Sequence, residues 1–524
     1  MTLKSEVVHF LTGLILGSTH KRGQSWVVLI LNFKKMKRVI KKSIFFVSVI
    51  SSLTFTGCDK FLDVSPPYTQ DAENYFQTPA DYEMALIGAY DLLQSTFVNV
   101  WVGDIASNDA IAGGESVNDT QGLHQISDMT HGGVNLELRS IMRWMYTGIT
   151  RCNFIMENKD NIEFNGKDKI IAETRFLRAY YYFELVKFFG DVPLVIDKRI
   201  GAEEVTQIPR APVADVYAQI EADLSAAIPV LDDITLIKGK ASKGAAKSLL
   251  GKVYLYQNKF LEAADIFDEV INSGIYALLG DYEQLFYAAT ENNSETVFDV
   301  EYSGAEGGSY GCFVCLEGNA GPGFQGIRQY VGPVYGDGNS YNLPTQDLYD
   351  AFASFDSRRD VTVLDLDAFI AEQDNPELIT YAIGAGGHTG YYNNKYIKRQ
   401  GEIGLPDNDL TSPLNYKAIR YADVLLMAAE AHYQNGNSGT AQGYMNQIRS
   451  RAGVQPIPIG SIEDIYNERR LELSCEGHRF FDLVRTGQAE QYIDGFVPNK
   501  HELFPIPQIE IDLAGGNWSQ NPGY

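Results

Sequence analysis

Apolar residues recur every three or four positions through most of the chain beyond residue 79. The stretch Tyr82-Glu-Met-Ala-Leu-Ile-Gly-Ala-Tyr-Asp-Leu-Leu93 is representative, with one apolar stripe and polar residues between. This is the spacing of a helix with one buried face. The same period predicts helices over 79–95, 137–159, 166–189, 212–230, 243–257, 260–273, 416–435, 438–452, 461–475 and 477–485. Between 301 and 343 no helical period can be drawn. That stretch mixes many glycines with Tyr302, Tyr310, Phe313, Phe324, Tyr330, Tyr335 and Tyr341, and residues 381–396 repeat the mixture on a smaller scale. Long irregular loops carried on a rigid scaffold are where binding sites concentrate.

Two of the helix pairs share a grammar. Leu250, Gly251, Tyr254, Ala263 and Phe267 fall at the offsets of the tetratricopeptide pattern, in which a small residue lets two helices cross closely and aromatic rings fill the gap. A second copy follows 177 residues later, with Tyr256-Gln257-Asn258 recurring as Tyr433-Gln434-Asn435, Ala264 as Ala441 and Phe267 as Tyr444. The predicted fold is therefore mainly α: a tetratricopeptide-like helical-pair scaffold carrying long irregular loops with minor β. Scaffold helices occupy 79–273 and 416–485, and a loop-rich ligand-binding insertion occupies about 274–415.

The N-terminal part has a different character. Lys34, Lys35, Lys37, Arg38, Lys41 and Lys42 precede the uncharged run Ser43–Phe55 and then Thr56-Gly57-Cys58, the order of a signal peptide. Thirteen residues at about 1.5 Å each are too few to cross about 30 Å of hydrocarbon. A small residue directly before a cysteine resembles the lipobox of bacterial lipoproteins, with Phe55 standing where that pattern prefers Leu. The expectation is that residues 1–57 are removed, that the working start is Met36, and that Cys58 carries the lipid. Beyond Cys58 no uncharged run reaches 18 residues, so the membrane is expected to be reached only through that anchor.

Nine of the 43 basic residues but only one of the 67 acidic residues precede Cys58, leaving residues 58–524 with a formal charge of −32. Such a field repels phosphate backbones, so nucleic acid is not an expected partner. Cys312 and Cys315 have the spacing of half a zinc site, but no second pair or histidine cluster completes it. No metal or cofactor is predicted. Catalytic signatures are scarce too: there is no H-E-x-x-H and no Walker loop. Gly321-Pro-Gly323-Phe-Gln-Gly326 matches a dinucleotide fingerprint only formally and is read as loop. The dense cluster Glu468, Arg469, Arg470, Glu472, Glu476, His478, Arg479, Asp482 and Arg485 is read as a structural ion-pair network at helical spacing.

Several separate motifs together resemble the SusD/RagB family of outer-membrane nutrient-binding lipoproteins. They are Glu173-Thr-Arg-Phe-Leu-Arg-Ala-Tyr-Tyr-Tyr-Phe183, Gly190-Asp-Val-Pro-Leu194, Arg420-Tyr-Ala-Asp-Val-Leu-Leu-Met-Ala-Ala-Glu-Ala431, Glu468-Arg-Arg470, Glu476-Gly-His-Arg-Phe-Phe-Asp-Leu-Val-Arg485 and Gln520-Asn-Pro-Gly-Tyr524. The resemblance runs from Cys58 to Tyr524 and implies a single SusD-like domain there. It further implies a lipid-anchored lid at the outer membrane, facing outward, that caps a SusC-like TonB-dependent transporter and is not an enzyme. Family ligands are mostly glycans; a peptide-binding lid of the same transporter type, or an interaction scaffold without a ligand, are the alternatives.

A sugar ring needs a flat aromatic face flanked by polar groups. Of the three tryptophans after Cys58, Trp144 and Trp518 lie in segments that look like family scaffold. Trp101 precedes Asp104, Asn108 and Asp109 at the start of a polar, glycine-containing stretch, matching in rough position the N-terminal loops with which family members hold ligand. The ligand-binding candidates are therefore Trp101, Asp104, Asn108 and Asp109, together with Tyr302, Tyr310, Phe313, Phe324, Arg328, Tyr330, Tyr335 and Tyr341.

Overall fold

The segments with a helical period are helices. In chain order they are α1 (Pro79–Asp91), α2 (Phe97–Ile105), α3 (Leu136–Glu157), α4 (Lys167–Phe189), α5 (Val213–Ala227), α6 (Lys243–Tyr256), α7 (Phe260–Asn272), α8 (Tyr421–Gln434), α9 (Ser438–Arg451), α10 (Ile462–Leu473) and α11 (Arg479–Arg485). The computed structural model describes residues 75–196, 198–305, 317–402 and 410–524. Cys58 and the residues before it, with Tyr310, Cys312, Phe313 and Cys315, lie outside the described residues.

Local chemistry sets the helix ends. Asn135 Oδ1 accepts from Leu138 N at 3.1 Å to start α3, and Ser242 Oγ accepts from Ala245 N at 3.1 Å to start α6. Helix α4 runs between Gly166 (φ +91°) and Gly190 (φ +69°), backbone conformations that favour glycine.

Three expectations are corrected. The helix expected over 79–95 ends at Asp91, passes through a 3-10 turn over Leu92–Thr96 and continues as α2, whose nine residues are all buried. At nine residues and buried all round, α2 is too short for the sequence pattern to separate it from the turn before it. The helix expected from 416 begins at Tyr421, because Tyr416–Arg420 is a strand. The Gly321–Gln325 segment read as loop forms one helical turn.

Eight short strands are described: β1 (Ala110–Ala112), β2 (Val192–Pro193), β3 (Arg210–Ala211), β4 (Thr296–Val300), β5 (Asn342–Pro344), β6 (Val363–Asp365), β7 (Tyr391–Asn393) and β8 (Tyr416–Arg420). They pair antiparallel as β1–β5, β2–β3, β4–β8 and β6–β7.

The helices stack by neighbours: α1 on α3, α3 on α4, α4 on α5, α5 on α6, α6 on α7, α7 on α8, and α8 on α9 and α10. The two copies of the helix-pair grammar are thus adjacent in space, although the insertion separates them in sequence. Asp268 of α7 joins them, accepting from Tyr444 Oη at 2.7 Å and facing His432 Nε2 at 3.0 Å. The glycines set the crossings. A Cβ at Gly251 would lie 2.5 Å from the Phe267 ring, and one at Gly148 would lie 2.4 Å from the Tyr181 ring.

Buried charge ties the insertion to this stack. Arg358, without solvent exposure, meets Asp356 at 2.7 Å, Glu468 at 2.7 Å and Glu472 at 3.1 Å. Lys395 meets Glu476 at 2.7 Å, and Arg420 meets Glu295 at 2.9 Å and Glu476 at 2.8 Å. The cluster is a structural ion-pair network as read, but its partners come mostly from other elements rather than from the next helical turn. Only Asp482 with Arg485 (2.8 Å) pairs locally, at i, i+3.

Candidate functional site

Three chain segments converge on one loop head. Helix α2 supplies its floor, with Trp101 only 6% exposed. Phe97 lies edge-on to the indole at 5.1 Å, Phe324 at 5.5 Å and Tyr341 at 6.2 Å between centroids. Phe324 and Tyr341 stack almost parallel, at 4° and 5.5 Å. Trp101 Nε1 is buried and has no hydrogen-bond partner among the described residues.

Strand β1 pairs with β5 just below the head, and the chain continues into Gly113-Gly114. The segment Gly384–Gly387 lies directly on that backbone. A Cβ at Gly384 would sit 2.0 Å from the Gly114 carbonyl oxygen, one at Gly386 2.6 Å from that of Gly113, and one at Gly387 2.7 Å from that of Ala112. Only glycine permits this approach. Ala385 N donates to Glu115 O at 2.9 Å and Ala382 N to Arg328 O at 2.8 Å, locking the three segments together.

Above this floor the head offers solvent an aromatic and polar rim. Tyr341 is half-buried, and burial together with the Asp119 carboxylate pushes its phenol up to about 12. Arg328 pairs with Glu115 at 3.2 Å. Tyr381 and His388, both half-buried, stack at 6.1 Å and 29°, and Tyr381 Oη donates to Asp367 Oδ1 at 3.2 Å. Tyr381, His388, Glu115 and Asp119 were not among the sequence candidates; the glycine-aromatic composition of 381–396 was the signal that pointed to the first two.

The remaining candidates stand elsewhere. Asp104, 3% exposed, accepts from Asn342 Nδ2 at 2.9 Å and from Gly477 N at 2.9 Å, and burial pushes its carboxyl up to about 7 despite those donors. It binds α2 to β5 beneath the head. Asn108 links Asp347 and Arg479, and Asp109 pairs with Arg470 at 2.6 Å. Tyr302 is in the main core and donates to Gln94 O at 2.7 Å. Tyr330 and Tyr335 belong to a second small core with Ile327, Leu343 and Tyr392, their hydroxyls bonded to Pro333 O and Asn394 Oδ1. Both tryptophans expected in the scaffold pack against the main core, and Trp518 Nε1 donates to Ile208 O at 2.8 Å.

The arrangement can present aromatic faces and hydrogen-bonding groups to an uncharged polyol. Among the described residues no helix is long and apolar enough to cross a membrane.

Comparison with known proteins gives the same picture. The SusD family model matches residues 379–502, and the family described as starch-binding associating with outer membrane matches residues 60–255. SusD-like protein P2 of Formosa agariphila is 28% identical over 512 residues, covering 91% of this chain and 98% of that protein. The structure of a laminarin binding SusD-like protein superposes with a TM-score of 0.79 at 34% identity, covering 86% of this chain and all of the other. Surface glycan-binding protein A from Bacteroides thetaiotaomicron, in complex with laminarihexaose, superposes with a TM-score of 0.76 at 26% identity, covering 84% and 99%. With its tetratricopeptide-like stack, its motifs and a relative 34% identical over that relative's whole length, this chain belongs to the SusD/RagB family.

Proposed function

We propose that this chain is a surface glycan-binding lipoprotein that captures a laminarin-type glucan in its loop head. The head supports this reading: the faces of Tyr341 and Tyr381 flanked by Arg328, Glu115 and Asp119, held in place by glycine contacts. Covering about 100 Å² of a sugar's C–H face contributes at most about 2.5 kcal/mol, so several rings must share the work. The similarity to a laminarin binding protein and to a complex with laminarihexaose supports the choice of glucan. In this reading Trp101 acts from beneath, keeping the Phe324–Tyr341 stack in position.

Cys58 carries the lipid that holds the protein at the outer membrane facing outward, and the captured glycan passes to a SusC-like TonB-dependent transporter. The protein performs no chemistry on it. Moderate affinity suits such a role, because residence time limits hand-over. A peptide ligand is the competing reading, favoured by the acidic charge of the chain, −24 in all. Titration calorimetry of the full chain with laminarin, starch and basic peptides at two salt concentrations separates the two. Laminarin binding with little salt dependence, weakened about tenfold in Tyr341→Ala and up to tens-fold in Trp101→Ala, is the expected result. Peptide binding that falls steeply with salt, with no glycan bound, overturns it.

A further inference from the structure

A cavity of about 370 Å³ opens between α3, the chain that joins β2 to β3, and the C-terminal segment that holds Glu510 and Trp518. It shares no residue with the loop head. Its size falls in the range of roughly 300–1,000 Å³ at which small-molecule sites occur. Most of the wall is apolar, with Met142 and Ile149 on the helix side and Val195, Ile200 and Val205 opposite. The rings of Tyr146 and Trp518, both half-buried, complete it.

The polar groups in this wall spend their protons on the protein itself. Tyr146 Oη donates to Pro193 O at 2.8 Å, Trp518 Nε1 to Ile208 O at 2.8 Å, and Asn153 Nδ2 to Val195 O at 3.0 Å. The hydroxyls of Thr147 and Thr150 donate to carbonyl oxygens one turn back in α3, at 2.7 and 2.8 Å. What remains for an occupant is aromatic and aliphatic surface. A sugar ring, with hydroxyls all round its edge, is poorly answered there, whereas a flat hydrocarbon ring is well answered.

The rim adds one charge without a counter-charge. Of the four charged side chains in the lining, Glu510 meets Arg139 at 2.9 Å, Lys198 meets Glu204 at 2.9 Å, and Arg199 Nε donates to Glu157 Oε1 at 2.6 Å. The fourth is Arg143, one turn along α3 from Arg139. It is exposed and has no carboxylate partner among the described residues. A guanidinium with all its donors free is suited to a carboxylate, which it can hold by two parallel hydrogen bonds. The acidic charge of the chain as a whole, −24, is screened beyond about 8 Å at physiological salt.

We propose that this cavity is a second binding site, which takes an aryl carboxylate: the ring lies against Tyr146, Trp518 and the aliphatic wall, and the carboxylate pairs with Arg143. Titration calorimetry of the full chain with naphthoate, and with the uncharged naphthalenemethanol as its counterpart, tests the site. Saturable binding of naphthoate at one site per chain is expected, with the alcohol bound about tenfold more weakly or less. Arg143→Gln should bring the acid down to the alcohol's affinity and leave the alcohol unchanged, a difference that a merely structural arginine would not produce. Thr150→Trp, at an exposed position of the lining, should fill the cavity and weaken both probes about tenfold or more. If one variant loses its unfolding midpoint, the other decides. No saturable binding of naphthoate, an alcohol bound as tightly as the acid, or undiminished binding of naphthoate in a folded variant overturns the proposal.

Discussion

Glu472 has no solvent exposure and faces three arginines: Arg358 at 3.1 Å, Arg420 at 2.5 Å, and Arg451. Burial alone would raise its carboxyl; the arginines overcome that and hold it well below the ordinary range. Removing one member of such a buried set leaves uncompensated charge, which costs about 3–5 kcal/mol. Glu472→Gln is therefore expected to lower the free energy of unfolding by about that amount, measured by urea denaturation. The acid-rich helix around it was legible as a charge cluster, but its partners were not. Arg358 and Arg420 lie 114 and 52 residues away, and spacing along one helix carries no information about them. Tyr302, Tyr330 and Tyr335 teach the same lesson for rings, because an aromatic among glycines reads alike whether it faces a small core or the solvent.

At the level of elements, the long helices were readable because their apolar spacing runs over several turns, even in α8, where Tyr421–His432 are all buried. Helix α2 offers only nine residues, and β8 runs without a break into α8, its partner β4 lying more than a hundred residues earlier. Glycines matter differently in the two kinds of element. At Gly251 an added methyl meets the Phe267 ring in the stack, whereas at Gly384 it meets backbone in the head. Gly251→Ala should cost about 1–3 kcal/mol of global stability, as overpacking does. Gly384→Ala should instead displace 381–390 from 113–115, weakening laminarin binding with the unfolding midpoint nearly unchanged. Paired denaturation and calorimetry on the two variants check the contrast, and equal losses of midpoint would contradict it.

For the whole molecule, the partition into helical stack and loop-rich insertion was foreshadowed by composition, since glycine-aromatic stretches cannot continue an amphipathic period. What the sequence did not announce is that α7 and α8 pack together, so the insertion leaves and rejoins a continuous stack. Val300 and Tyr416 are partners in the β4–β8 register, which places their Cα atoms about 4.5–5.5 Å apart. Residues 301–415 therefore leave and return at a neck closed by two strands, and exchanging this cassette between relatives is expected to leave the stack in place. The exchange has a plug as well as a neck: Arg358 and Lys395 sit inside the cassette, and their carboxylates, Glu468, Glu472 and Glu476, sit outside it. A chimera carrying another family member's 301–415 should fold, and take on the donor's ligand preference, when those two cations are retained. Replacing them with Met in the same chimera should lower its urea midpoint, for the buried acids would then keep Arg420, Arg449 and Arg451 but lose two of the cations that balance them.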